Sequence, residues 1–201
     1  MKNMRSWILG LSATLLLFSG GCASNAPTNF YVLQSLPETL AADQQAAAAK
    51  GVALGVGPVT LPQYLDRDQI VTRRTRNALV LEDFDQWAQP LTDNFTTALG
   101  QNLALLLPTD NIAYFPWNRS ARVDYQVTVN VSQFEGTSGN QALLVARWSI
   151  LSRDGGKELL ARQSRHLETA TGSSIEATVL AMNQALDSLS REIADAIREL
   201  R

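Results

Sequence analysis

The chain of 201 residues has one cysteine, one histidine and no long basic block, and each scarcity closes off a class of chemistry. With Cys22 alone, there is no internal disulfide and no multi-cysteine metal site. His166 is the only histidine, and it sits in a segment patterned as a strand, beside Arg165 and near Glu168. A lone strand histidine reads as a packing or surface residue rather than a catalytic base. Any metal site would then need carboxylates only. Asp66 with Asp68, and Asp83 with Asp85, are spaced by two, but neither pair has the glycine and distal glutamate of a dedicated calcium loop. Ser138-Gly139 lacks a nucleophile-elbow context, and no glycine-rich phosphate loop is present. No catalytic set, metal site or dissociable cofactor is expected, and the chain does not read as an enzyme. Without basic blocks to neutralise phosphates, nucleic acid is not an expected partner.

Long apolar runs are scarce as well. The one conspicuous run is Trp7–Phe18, 12 residues without a charge. It is too short to span about 30 Å of hydrocarbon at 1.5 Å per residue. Lys2 and Arg5 precede it, and Ser19-Gly20-Gly21 follow, directly before Cys22. A positive start, a short apolar stretch and small residues at the cut make a secretory signal over residues 1–21. Cys22 then falls where a lipoprotein carries its thioether-linked diacylglycerol, with Ser19 replacing the usual leucine three residues earlier. The expected covalent group is therefore acyl lipid, palmitate among its chains, on Cys22. More than one acyl chain makes such anchoring stable. Ala23 after the cysteine favours the outer membrane.

Removing residues 1–21 leaves 180, with 15 basic and 19 acidic side chains and a formal charge of −4. That length suits a single domain with a proper core. Residues 22–29 read as a lipidated tether and 30–201 as the domain. Strands are expected at Phe30–Leu33, Val52–Val59 (ending at Pro58), Gln69–Thr72, Ala78–Leu81 and Ile112–Phe115. Glu38–Lys50, rich in Ala and Gln, reads as a loop, or alternatively as a short surface helix. Arg73–Asn77 forms a hairpin tip, with Asn77 suited to a left-handed conformation.

Asp83–Leu107 reads as a helical region whose regular part starts between Trp87 and Pro90. Leu91, Phe95, Leu99, Leu103 and Leu106 give it one buried face. With the strands around it, this predicts a right-handed strand–helix–strand crossover. Asp124–Glu135 alternates strictly, with Tyr125, Val127, Val129 and Val131 on one side. It opens a three-stranded antiparallel meander with Ala142–Leu151 and Leu159–Leu167, turning at Gly136–Asn140 and at Asp154–Lys157. Ser174–Leu200 is a second long helix, its stripe running from Ile175 through Leu186 and Leu189 to Leu200, with a capping box of Ser173 and Glu176. The sum is an α+β fold, a mainly antiparallel sheet with two long helices packed on one face.

Leu61–Arg74 (LPQYLDRDQIVTRR) stands apart, with apolar anchors, an accessible tyrosine and alternating charges in a turn-rich stretch. Tyr and Arg are side chains that interfaces favour. Tyr64, Arg67, Arg73 and Trp87 are thus candidates for a partner interface; the competing reading is that Leu61, Pro62, Tyr64 and Trp87 pack a corner between sheet and helix.

The same residues carry a resemblance. Leu61-Pro62-Gln63-Tyr64-Leu65-Asp66-Arg67, Gln69-Ile70-Val71-Thr72-Arg73 and Trp87-Ala88-Gln89-Pro90-Leu91 resemble the paraquat-inducible protein C (PqiC-type) lipoproteins, auxiliary components of ABC-type transport systems. Tyr31-Val32-Leu33, soon after the cysteine, fits that pattern too. The resemblance implies an outer-membrane lipoprotein on the periplasmic face, part of a trans-envelope lipid transport system that maintains membrane integrity. It implies as partners a periplasmic tunnel protein of the mammalian-cell-entry (MCE) type and its inner-membrane component, with the chain itself assembling as a homo-oligomer, as in a closed ring. The competing reading is a stand-alone structural or lipid-binding envelope lipoprotein.

Overall fold

The computed structural model describes residues 27–37, 52–118, 121–153 and 156–201. The leader, Cys22 and most of the tether, the Glu38–Lys50 stretch expected as a loop or short helix, and Asp154-Gly155 of the expected second meander turn lie outside them. Among the described residues no helix is long and apolar enough to cross a membrane.

One 13-residue strand, Tyr125–Thr137 (β6), organises the sheet. Along one edge it pairs antiparallel with Gln141–Ser152 (β7), which pairs antiparallel with Glu158–Thr169 (β8). Its other edge is divided. Tyr125–Asn130 runs parallel to Leu54–Thr60 (β2), while Gly136 and Thr137 run parallel to Gln69–Thr75 (β3). Ala78–Trp87 (β4) forms an antiparallel hairpin with β3, and Asn29–Tyr31 (β1) adds a parallel edge to β4. Ile112–Tyr114 (β5) adds a parallel edge to β2. The eight strands form one sheet, and its long ladders are antiparallel as expected; the parallel pairings are short.

Two helices cover one face of the sheet. Leu91–Leu106 (α1) packs against β2 and β5, and Ile175–Glu199 (α2) against β6, β7 and β8 and against α1. The α2 stripe of Val179, Met182, Leu186, Leu189, Ile193 and Ile197 is fully buried. Each such side chain contributes about 1.5–3 kcal/mol by leaving water. Phe95 of α1 meets Phe134 of β6 edge to face at 5.2 Å, joining helix to sheet in the centre of the core. The buried indole of Trp148 donates to Ser164 Oγ at 2.8 Å, so its polar atom is satisfied.

Several expectations need correction. Asp83–Trp87 continues strand β4 instead of opening the helix, because those residues pair with β1 and β3; Pro90 is the N-cap of α1, where its missing N–H costs nothing. The strand before α1 and the strand after it run in opposite directions at opposite ends of the sheet, so they form no parallel crossover. β2 continues through Pro58 to Thr60, with its register broken between Val56 and Val59. Gly57 makes that break with φ at +112°, a conformation that other residues rarely adopt. The left-handed asparagine is Asn140, at the β6–β7 turn (φ 55°), and not Asn77. The cap of α2 is Ser174, whose side chain accepts from Ala177 N at 3.1 Å, one residue later than the Ser173–Glu176 box.

A further element was not foreseen. After β1 the chain continues as an extended strap over residues 32–37, bound to both helices. Asn94 on α1 accepts from Leu33 N at 2.6 Å and donates to Leu33 O at 3.1 Å. Asn102 accepts from Leu36 N at 2.6 Å, and Asn183 on α2 accepts from Gln34 N at 3.1 Å. Leu33 and Leu36 are buried between these bonds. Asn102 is itself fully buried and donates to Asp187 and Ser190 of α2, so one side chain ties strap, α1 and α2 together.

Candidate functional site

Strict alternation along β6 would place Gln133 and Glu135 beside the buried valines. A bulge between Val131 and Gln133 prevents this. It turns Phe134 into the helix-side core and sends Glu135 to the opposite side of the sheet. Glu135 is nevertheless 0% exposed, because the segment after β2 folds over it. Pro62, with φ near −60°, leads into a 3-10 turn of Gln63–Leu65. Leu65 is buried by this turn, and Tyr64 is aimed at the carboxylate.

A bare buried carboxylate is costly, so its partners decide whether the corner holds. Tyr64 Oη donates to Glu135 Oε2 at 2.7 Å and Arg73 Nε donates to Oε1 at 2.7 Å. The Phe134 backbone N–H donates to Oε2 at 3.0 Å. Both carboxylate oxygens are thereby satisfied by charge-assisted bonds. Burial, then the bond to Glu135, pushes the Tyr64 phenol far above its ordinary value, so it remains a protonated donor. The bond to Glu135 raises Arg73 further. Tyr64 is thus held as a hydrogen-bond donor to Glu135. Arg73 also donates to Arg76 O across the hairpin at 3.2 Å, and Arg67 Nε donates to Tyr64 O at 2.9 Å.

Of the four residues proposed as an interface, three meet here and one does not. Tyr64 and Arg73 are half-buried and bound to Glu135, while Arg67 is exposed and joins the corner through its bond to Tyr64 O. Trp87 is only 5% exposed and packs in the core, so its ring is not presented to a partner; its backbone N–H donates to Asp68 O at 2.7 Å, holding the end of β4 to the turn. The residue that sequence reasoning missed is Glu135 itself. Its signal was an acidic side chain in phase with Val127, Val129 and Val131, at a position that alternation assigns to the core.

Chemistry elsewhere is sparse. Among the described residues no group of three His, Cys, Asp or Glu side chains is placed to hold a metal ion. His166 Nε2 lies 3.2 Å from Glu192 Oε2, an ion-pair distance without a hydrogen bond. A pocket of about 620 Å³ is lined by Val52, Asp124, Tyr125, Ser152, Arg153, Leu159 and Arg201. Its carboxylate and two guanidinium groups make it a poor receptacle for an acyl chain.

Comparison with known proteins extends the geometry. A family model described as ABC-type transport auxiliary lipoprotein component matches residues 31–194. The intermembrane transport lipoprotein PqiC of Escherichia coli (strain K12) is 28% identical over 194 residues, covering 94% of this chain and 98% of that one, and PqiC of Shigella flexneri matches equally. Among solved structures, protein XCC0632 from Xanthomonas campestris superimposes with a TM-score of 0.62 at 20% identity, over 82% of this chain and 92% of the other. An uncharacterized protein of known crystal structure gives a TM-score of 0.69 at 19% identity, over 86% and 99%. These two likenesses concern the fold alone.

Proposed function

Since the chain belongs to the ABC-type transport auxiliary lipoprotein component family, we propose that it is a lipid-anchored component of a transport system moving lipid between the two membranes of an envelope. The observation that carries this reading is the family match across residues 31–194, supported by a relative described as an intermembrane transport lipoprotein. In this reading Cys22 bears the diacylglycerol and acyl chains, and the protein sits on the periplasmic face of the outer membrane. The domain docks to an MCE-type periplasmic tunnel protein, whose inner-membrane component completes the system. A ring of copies at the outer end of the tunnel fits the cyclic symmetry such a partner would have.

The Glu135 corner supports a docking role more than a chemical one. Its carboxylate is saturated by Tyr64, Arg73 and the Phe134 N–H, and it fixes the turn that presents Arg67. Rigid presentation of guanidinium groups suits recognition of carboxylates on a partner. Arg67→Glu tests the surface without touching the buried bonds. The reading predicts a retained fold, with at most the small cost of the exposed bond to Tyr64 O, and a loss of partner captured from detergent-solubilised envelope; full capture by Arg67→Glu would remove this surface from the interface.

A further inference from the structure

Where β5 ends, Tyr114-Phe115-Pro116-Trp117 places three aromatic side chains in four positions. Tyr114 is 40% exposed, Phe115 is 52% exposed and Trp117 is half-buried. These side chains are nevertheless fixed in place. A Cβ on Gly100 of α1 would stand 2.5 Å from Tyr114 Cε1, and a Cβ on Gly57 would stand 2.8 Å from Phe115 Cβ. Both glycines leave the space that the two aromatics occupy. Trp117 meets Phe115 edge to face at 5.7 Å and supports it from the far side of the chain turn at Pro116.

Tyr114 and Phe115 line a cleft of about 460 Å³. The rest of its lining comes from the kink of β2 at Gly57–Val59 and from Thr92, Asp93, Thr96 and Thr97 in the first turns of α1. That volume lies within the range of small-molecule sites, roughly 300–1,000 Å³. The charge of the lining has one sign. Asp93 is exposed and, among the described residues, has neither an ion pair nor a hydrogen bond. No Lys, Arg or His lines the cleft, so an anionic group would meet a carboxylate with nothing to offset it. A purely apolar occupant would make no use of Asp93. The hydroxyls of Thr96 and Tyr114 already donate to Thr92 O at 2.7 Å and Thr97 O at 3.4 Å, which leaves few partners for a polyhydroxylic ligand. An alkylammonium group uses what remains. Aromatic rings attract a cation through their quadrupoles, and a carboxylate accepts its N–H donors in charge-assisted bonds.

We propose that this cleft binds the ammonium group of a phosphoethanolamine-type lipid headgroup, with Asp93 accepting its N–H donors and Tyr114 and Phe115 packing against the cation. The proposal rests on the lipid-transport reading, to which it adds a cargo headgroup and the residues that select it.

Full-length protein in a polyoxyethylene detergent is titrated by calorimetry with dihexanoylphosphatidylethanolamine. Dihexanoylphosphatidylglycerol, which has the same chains and phosphate but no ammonium, is the comparison, and O-phosphoethanolamine and maltose are run alongside. Saturable binding of the ethanolamine lipid is expected, about tenfold tighter than the glycerol lipid and about tenfold weakened by Asp93→Asn, as for the loss of one charge-assisted bond. Phe115→Leu should weaken binding several-fold while circular dichroism shows an unchanged fold. Equal affinity for the two lipids, binding untouched by both variants, or no binding would each overturn the proposal. Maltose binding that Asp93→Asn abolishes would overturn it in favour of a sugar, and O-phosphoethanolamine bound as tightly as the lipid would overturn it in favour of a free solute. Capture of a tunnel protein by the same preparation reports on the transport reading separately. Capture without selectivity for the ethanolamine lipid refutes the cleft alone, whereas selective binding without capture retains the cleft and refutes the transport system.

Discussion

Arg73→Met is the sharpest probe of the corner around Glu135. The substitution keeps the length of the aliphatic stem and removes the guanidinium. Glu135 remains 0% exposed, its Oε1 deprived of the 2.7 Å bond and left with the long 3.5 Å bond from Gln133 Nε2. Breaking one side of a buried pair costs about 3–5 kcal/mol, because an uncompensated charge stays inside. The Arg73 side chain is 21% exposed and Tyr64 and the Phe134 N–H stay in place, so the low end applies, about 3 kcal/mol. For a domain of this size each kcal/mol moves Tm by roughly 2–4 °C, giving a fall of about 6–12 °C. Thermal unfolding followed by circular dichroism reads this directly, and urea unfolding checks it. Replacing both partners, Arg73→Met with Glu135→Leu, should recover most of the loss, since apolar substitutes for a buried pair are often neutral. A single-variant cost below about 1 kcal/mol, the range of exposed pairs, would refute the reasoning. So would a double variant less stable than the single one.

Other consequences are open to measurement. Ser174→Ala should cost about 1 kcal/mol through the lost cap of α2, while Ser173→Ala should leave urea unfolding unchanged. Asn102→Ala deprives Leu36 N, Asp187 and Ser190 of a shared partner. Each buried group left unpaired costs about 1–3 kcal/mol, and hydrogen exchange at Leu36 should accelerate selectively. Burial, and then the bond to Asp85, pushes the Tyr31 phenol up to about 12 from an ordinary 10.0. Its contribution to stability is full below pH 10 and disappears as pH rises through about 12. Ultraviolet titration of the native protein should show a phenol ionising near 12 that Tyr31→Phe removes.

The long elements were legible because their periodicities are undiluted. The α2 stripe and the alternation from Tyr125 to Val131 each demand one geometry, and both are found. What was not legible depends on single-residue shifts or distant partners. Asp83–Trp87 has no helical stripe of its own, and only pairing with β1 and β3 makes it a strand. One extra residue near Gln133 reverses the sides of Phe134 and Glu135, and nothing in the local sequence announces that bulge. The strap is held by asparagines more than 60 positions away, a separation at which spacing gives no warning. At the candidate site the segment Leu61–Arg74 was singled out by its composition, and the structure places Tyr64 and Arg73 of it on Glu135. Trp87 was assigned to its surface because an aromatic near a helix start suits both a core corner and an interface; its burial separates the two.

The most direct test of the transport reading is a pull-down of C-terminally tagged protein, Cys22 intact, from detergent-solubilised envelope, with mass spectrometry of the captured proteins and of the N-terminal peptide. The account predicts an MCE-type tunnel protein in the captured fraction, together with a Cys22 peptide carrying acyl lipid. An acylated protein that captures no such partner would contradict the transport role and leave a stand-alone envelope lipoprotein.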